Sequence, residues 1–303
     1  MTATAWRYAF ASVVGTSHLR DASPCQDTSD CRVLHTQDGA PVLVALIADG
    51  AGSASHSAEG AQLACTLLHD EIATLLDTGG AIEEISRDFV VAWLTRFQHA
   101  IAERAEAQGC APREFACTLL AAIVGEECGA FFQVGDGAIV VAAPDEPDEY
   151  GWIFWPQRGE YENVTMFITD PRAADHLEHE FGTRRYAEIA LFTDGLQRLA
   201  LHFASESVHN PFFRPIFPPL RAQQPGYLPE LSTALARFLD SPAVNGRTDD
   251  DKTLVLATRR AAEAVPAPVA EPGAASHTPE EQPATTTADT APEQPEDPAD
   301  DPD

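Results

Sequence analysis

Six short runs, residues 42–48, 117–124, 130–134, 138–143, 188–193 and 253–258, are rich in Val, Ile, Leu and Phe, and several are too apolar to leave one face wet. Runs of this length and composition predict strands covered on both sides. Cover is available between the first two runs, where about sixty residues carry helical spacing. Ala64, Leu68, Ile72 and Leu75 recur on one face, then Ile85, Phe89, Trp93, Phe97 and Ile101 on another. This predicts a helical hairpin broken at Asp77-Thr78-Gly79-Gly80. A last helix is predicted over 229–239, just before the final strand. Strands predominating around one paired-helix insertion predict sheet packed on sheet with helices outside, rather than a regular βαβ alternation. Residues 144–186, with their Pro, Gly and aromatic residues, predict an irregular surface flap.

Composition sets the limits of what this chain can do. At 303 residues and 44% hydrophobic content it can bury a large core, which excludes collagen-like and wholly disordered chains. Lys and Arg number 19 against 47 Asp and Glu, a formal net charge of −28, so nucleic acid and anionic membrane surfaces are poor partners. An acidic protein can still act on a phosphate by placing divalent cations between its carboxylates and the substrate. Residues 261–303 hold nine prolines, eleven acidic residues and no Lys or Arg, which predicts a disordered acidic tail after a folded domain over 1–260. That domain keeps a net charge of −17. No secretory leader and no apolar run of about 18 residues is present, so the chain reads as soluble and cytoplasmic. The six cysteines form no C-x-x-C pair and read as free thiols. No solenoid repeat appears, and no coiled-coil repeat indicates an oligomeric state.

Aspartates stand where apolar strands run out: Asp49-Gly50, Asp136-Gly137 and Asp194-Gly195, with Asp250-Asp251 just before the last strand. Singly, an Asp-Gly pair suits a turn. Jointly, carboxylates at several strand ends can converge on one sheet edge, where their mutual repulsion is relieved by hard cations such as Mg²⁺ or Mn²⁺.

The ordered blocks GTSHLRDASPCQD (15–27), LIADGAGSASHSAEGA (46–61), QVGDG (133–137), LFTDGL (191–196) and DDKTLV (250–255) resemble those of the metal-dependent serine/threonine protein phosphatases of type 2C. The likeness is greatest to a bacterial branch with S-H, a spacer and P-C-Q-D, then D-G-A-G-S. It implies an α+β fold, an α-β-β-α sandwich of two antiparallel sheets flanked by helix pairs, with a binuclear metal site at one end. By position it implies that Asp49 bridges two Mn²⁺ or Mg²⁺ ions, that Asp194 and Asp250 complete one site, and that Asp27 and the Gly50 carbonyl hold the other. Asp136 resembles a ligand of a weaker third site. The implied reaction is hydrolysis of phosphoserine or phosphothreonine by a metal-bridging water, on a phosphorylated protein made by a serine/threonine kinase.

One position departs from the family pattern. Relatives place an Arg about five residues before the aspartate of the first block; Ala22 stands here, leaving His18 and Arg20 as candidates for binding phosphate and serving the leaving group. Two alternatives follow: a regulatory or phosphoprotein-binding pseudophosphatase, and a phosphatase of small metabolites on the same fold. Other signals read as structural. His176, His179 and Glu180 do not form H-E-x-x-H and are assigned to a solvated helix face; Ser53, Ser55 and His56 do not form a nucleophile elbow. The cluster Trp152, Phe154, Trp155 beside Arg158 reads as core or flap packing.

Overall fold

Each apolar run becomes a strand with neither face in water. The structure is a computed structural model that describes residues 5–157 and 165–260. The acidic segment 261–303 and residues 158–164 of the expected flap, Arg158 included, lie outside the described residues.

In chain order the elements are β1 (Arg7–Val13), α1 (Thr16–Arg20), β2 (Thr28–His35), β3 (Pro41–Ala48), α2 (Ser57–Asp77), α3 (Arg87–Gln108), β4 (Leu119–Val124), β5 (Gly129–Val134), β6 (Ala138–Ala142), β7 (Gly151–Trp152), β8 (Glu178–Gly182) and β9 (Glu188–Phe192). Then follow α4 (Gln197–Ala200), the hairpin of β10 (Leu201–His202) and β11 (Ser207–Val208), α5 (Asn210–Phe213), α6 (Phe217–Arg221), β12 (Gly226–Tyr227), α7 (Pro229–Leu239), α8 (Pro242–Asn245) and β13 (Lys252–Thr258). One sheet has the order β12-β1-β13-β9-β6-β7 and the other β2-β3-β4-β5-β8. All pairings in these two sheets are antiparallel except the two-residue pairing of β12 with β1.

Strand β3 shows why the runs are continuous. Its odd positions Leu43, Ala45 and Ile47 enter the layer between the sheets with Leu120, Phe131, Leu191 and Val255. Its even positions Val42, Val44, Leu46 and Ala48 pack under α2 and α3 against Leu68, Ile72, Trp93 and Phe97. A period-2 strand sandwiched this way needs an apolar residue at every position. The helical hairpin breaks where expected: α2 stops at Asp77, and Gly79 takes φ +87°, a left-handed angle that glycine adopts without a Cβ clash. Helix α3 begins on Ser86, whose side chain accepts from the Phe89 amide, and ends on Gly109 at φ +68°.

The expected sandwich of two sheets with outer helices is therefore present. Its far side is covered by α7 with the short α5 and α6, not by a second long pair: Phe213, Phe217, Leu235 and Leu239 pack on Phe192 and Leu254. Besides the two-residue strands β7, β10, β11 and β12, the strands β1, β2 and β8 fall outside the apolar runs, because each carries partly exposed polar positions. Strand β8 corrects the reading of His176, His179 and Glu180. They do not share a helix face: His176 ends a short 3-10 helix over Ala173–His176, whereas His179 and Glu180 belong to this edge strand, and His179 Nε2 is 2.7 Å from the Ile85 carbonyl oxygen. Within 144–186, Ile153, Phe154 and Ile168 are buried, so part of the expected flap is core. Trp152 stays exposed, its indole N–H donating to the Glu206 carbonyl. Among the described residues all six cysteines are free, and no helix is long and apolar enough to cross a membrane.

Candidate functional site

The topology brings the strand-end aspartates together. Thr28 at the start of β2 pairs with Ala48 at the end of β3, so Asp27 and Asp49 leave one sheet side by side. In the other sheet Phe192 near the end of β9 pairs with both Ala138 at the start of β6 and Leu254 in β13. Asp136, Asp194 and Asp250 therefore leave that sheet at the same end. Asp136 sits in the short link from β5 to β6, where the chain crosses between sheets.

Asp49, Asp136, Asp194 and Asp250 line one cavity of about 450 Å³, together with His18 and Gly50. Asp27 is buried beneath it: its Oδ2 accepts from Thr193 Oγ1 at 2.9 Å and from Thr253 Oγ1 at 2.7 Å, and it acts on Asp49 electrostatically. Arg20 is not part of the cavity wall. Its guanidinium is exposed and donates to Asp249 Oδ2 at 3.0 Å. Ala22 takes φ +54° in the loop between α1 and Asp27 and presents only a methyl group.

Two adjacent aspartates have separate roles. Asp251 is buried and its carboxylate is consumed internally: Oδ1 accepts from the Gly15 amide and Oδ2 from the Gln26 amide, both at 2.6 Å. His18 Nδ1 is buried 2.9 Å from Asp251 Oδ1 without hydrogen-bond geometry to it, a separation at which a protonated imidazole is attracted to the carboxylate. Asp250 instead faces the cavity, with Oδ1 accepting from the Asp251 amide at 2.9 Å.

The three Asp-Gly pairs are not glycine turns. Gly50, Gly137 and Gly195 all lack positive φ. Close backbone approach explains all three: a Cβ on Gly137 would lie 2.7 Å from the Phe192 carbonyl oxygen. A Cβ on Gly50 would lie 2.8 Å from the Gln26 carbonyl oxygen, and one on Gly195 would lie 2.0 Å from the Asp251 carbonyl oxygen. The glycines let two chain segments meet behind the carboxylates.

Burial and mutual repulsion push these carboxyls up. Asp27 rises to about 8, chiefly through burial, with Asp251 and Asp194 adding to it against the two threonine hydrogen bonds. Asp194 rises to about 7 through burial and the charges of Asp136 and Asp250. Asp49 is raised well above its usual range by burial and then by Asp27, Asp194 and Asp136, and Asp136 is raised by its own burial. Such a cluster is unfavourable when ionised and bare.

The residues fit divalent cations on three observations. The donors are all oxygens, as Mg²⁺ and Mn²⁺ prefer. Asp27 Oδ1 and Asp194 Oδ1 are buried without a hydrogen-bond partner among the described residues. The Gly50 position admits no side chain, which leaves its backbone open to the cavity. No three such side chains among the described residues already stand in coordination geometry. Mg²⁺ keeps several of its waters, which lets dispersed carboxylates hold it partly through water.

Sequence reasoning missed Thr118, whose Oγ1 accepts from the Asp49 amide at 3.0 Å, and Thr193 and Thr253, which tie Asp27 to the opposite sheet. It also missed Lys252, fully buried, with Nζ 2.9 Å from Asn245 Oδ1. Thr193, Lys252 and Thr253 are polar residues inside or beside apolar runs, the one signal that pointed to them.

Comparison with known proteins gives the family and the fold. The family model described as protein phosphatase 2C matches residues 14–240. Serine/threonine-protein phosphatase 3 of Escherichia coli (strain K12) is 42% identical over 254 residues, covering 83% of this chain and 98% of that protein. The serine/threonine phosphatase of S. agalactiae has the same fold with a TM-score of 0.57 at 16% identity, over 84% of this chain and 99% of that one. The serine/threonine phosphatase Stp1 of Staphylococcus aureus superposes with a TM-score of 0.51 at 15% identity, over 83% and 94% of the two chains. With the aspartate cavity at the sheet ends and the family match spanning most of the folded region, the chain belongs to the protein phosphatase 2C family.

Proposed function

We propose that the protein hydrolyses phosphoserine and phosphothreonine in proteins, with Asp27, Asp49, Asp194, Asp250 and the Gly50 carbonyl as ligands of two Mn²⁺ or Mg²⁺ ions and Asp136 serving a weaker third. The convergence of aspartates from both sheets on one cavity, two of their oxygens buried and unpartnered, carries this reading. When bound, the ions supply a water acidified to near neutral pH and neutralise charge on the phosphoryl oxygens. Everything else falls to the chain. Thr118, Thr193 and Thr253 hold Asp49 and Asp27 in place. His18 is positioned to donate at the leaving oxygen. With Nδ1 held against Asp251 and the ring on the cavity wall, Nε2 is the nitrogen left for the substrate. As a water oxygen bonds to phosphorus and the phosphorus–oxygen ester bond breaks, His18 acting as an imidazolium passes its Nε2 proton to the serine or threonine oxygen, which leaves as a hydroxyl and returns the ring to its neutral form. A family relative named as a serine/threonine phosphatase supports this substrate class.

The test is phosphate release from a phosphothreonine peptide with and without Mn²⁺, beside an Asp49→Asn variant. Release that requires Mn²⁺ and vanishes in the variant is the expected result. A folded protein that turns over no phosphopeptide in Mn²⁺ refutes the reading.

A further inference from the structure

A second cavity, of about 460 Å³, adjoins the aspartate cavity and shares Asp194, Asp249 and Asp250 with it. Its other side carries Arg198 of α4 and Arg247 of the loop after α8. Like Arg172 and Arg237 these two guanidiniums are unpaired among the described residues, and both line this one cavity. Several exposed arginines of this acidic chain are paired: Arg20 with Asp249, Arg96 with Glu71, Arg214 with Glu149. Arg198 and Arg247 have no hydrogen bond, ion pair or ring contact from their side chains to any described residue. Asp249, the exposed carboxylate on the shared wall, is already taken by Arg20.

The loop that carries Arg247 is built in. Asn245 beside it accepts from the buried Lys252 Nζ at 2.9 Å and donates to the Asp240 carbonyl at 3.0 Å, and the Arg247 amide donates to the Val244 carbonyl at 2.8 Å. A guanidinium fork is shaped for a carboxylate or phosphate, and a fixed loop lowers the ordering cost of meeting one. A ligand that places a phosphate against Asp194 and Asp250 in the aspartate cavity lies next to this wall, which the two carboxylates share. An extended peptide advances about 3.4 Å per residue, so a neighbouring side chain a few positions away reaches it.

From this juxtaposition we infer that Arg198 and Arg247 form a docking subsite for an anionic side chain of the substrate, an acidic or phosphorylated residue within a few positions of the residue being dephosphorylated. The inference rests on the phosphatase reading for its substrate, but its contacts are those of binding and can be measured apart from turnover.

Two experiments run on the full chain in Mn²⁺. In the first, KM and kcat are compared for a phosphothreonine peptide flanked on both sides by Glu and for its Gln-flanked counterpart, with the parent protein and an Arg198→Gln/Arg247→Gln double variant. The Glu peptide should have a KM lower by about fivefold in the parent, as expected for two solvent-facing charge contacts. The double variant should erase that difference and leave the Gln peptide unchanged within twofold. In the second, binding of the same peptides, and of one with a neighbouring phosphoserine, is followed by anisotropy on Asp49→Asn with and without the two arginine substitutions. Tighter binding of the phosphoserine peptide than of the Glu peptide, lost with the arginines, assigns the subsite to phosphate; equal binding assigns it to either anion. Equal KM for the Glu and Gln peptides in the parent, or a Glu preference that survives the double variant, overturns the subsite alone. No turnover of any peptide, with arginine-dependent binding of the Glu peptide retained, overturns the phosphatase reading and leaves the subsite standing.

Discussion

Removing divalent ions should make the stability of this protein fall as pH rises through neutrality, a trend opposite to ordinary acid denaturation. Asp27 and Asp194 have folded-state values of about 8 and about 7 against an ordinary value of 3.8, and Asp49 is raised as well. A carboxyl raised in the fold binds its proton more tightly folded than unfolded. Its stabilising contribution is complete below the unfolded value and disappears as pH climbs through the folded one. Each pH step inside that window costs about 1.4 kcal/mol per carboxyl. From pH 5 to pH 7 one such group therefore removes about 3 kcal/mol, and a second proton held in the cluster removes more. Asp30, Asp38, Glu59 and Glu114 are shifted the other way, but below the ordinary carboxylate range, so they are ionised in both states above pH 5 and do not contribute there. Urea unfolding in EDTA at pH 5, 6, 7 and 7.5 measures the trend. Adding Mn²⁺ should restore most stability at the highest pH, and Asp49→Asn should flatten the metal-free profile. A metal-free stability that is level or increasing from pH 5 to 7.5 would refute the buried, mutually repelling cluster.

Other expectations follow from single contacts. His18→Gln should lower kcat on a phosphothreonine peptide by about a hundredfold while affecting p-nitrophenyl phosphate much less, because nitrophenolate leaves without a proton; equal losses on both substrates would assign His18 a structural part only. Glu188 is completely buried and accepts from Arg221 at 2.8 and 2.7 Å and from Thr258 Oγ1 at 2.8 Å. Glu188→Gln leaves Arg221 without its buried counter-charge and should cost about 3 kcal/mol in denaturant titration, while sparing the distant aspartate cavity. Gly195→Ala must displace the Asp251 backbone and should lose turnover together with about 1–3 kcal/mol of stability; a variant as active as the parent would show that the two segments can part. Deleting 261–303 should leave cooperative unfolding and Mn²⁺-dependent turnover intact, which heat denaturation and peptide assays check together.

The sheets were legible because both their faces are covered, which turns six strands into uninterrupted apolar runs whose ends match the structure to within two residues. The α2–α3 hairpin was legible from its periodicity and its glycine break. Strands β2 and β8 were not, because sheet edges carry polar residues such as Asp30, Arg32 and Glu178 that mimic loops. The aspartates of the cavity could be named from their places at strand ends, yet nothing local distinguishes Asp250 from Asp251. The family resemblance favoured Asp250, and the fold supplies the physical reason: Asp250 faces the cavity while Asp251 accepts two amides and lies beside His18. Arg20 illustrates the converse: its place in the first block suggested phosphate, and its partner proves to be Asp249, more than two hundred residues away in the chain.

The aspartate cavity straddles a seam. Asp27 and Asp49 leave one sheet, Asp194 and Asp250 the other, and no strand pairing joins the two layers beneath them, only side-chain packing and a few side-chain hydrogen bonds such as those of Thr193 and Thr253 to Asp27. Any ion held by both pairs is thus a rivet between plates, sensitive to sub-ångström sliding of one against the other. Affinity for that ion becomes a gauge of how well the intervening layer is packed, so a conservative change at Leu120 or Leu191 within that layer should detune metal occupancy before it unsettles the fold.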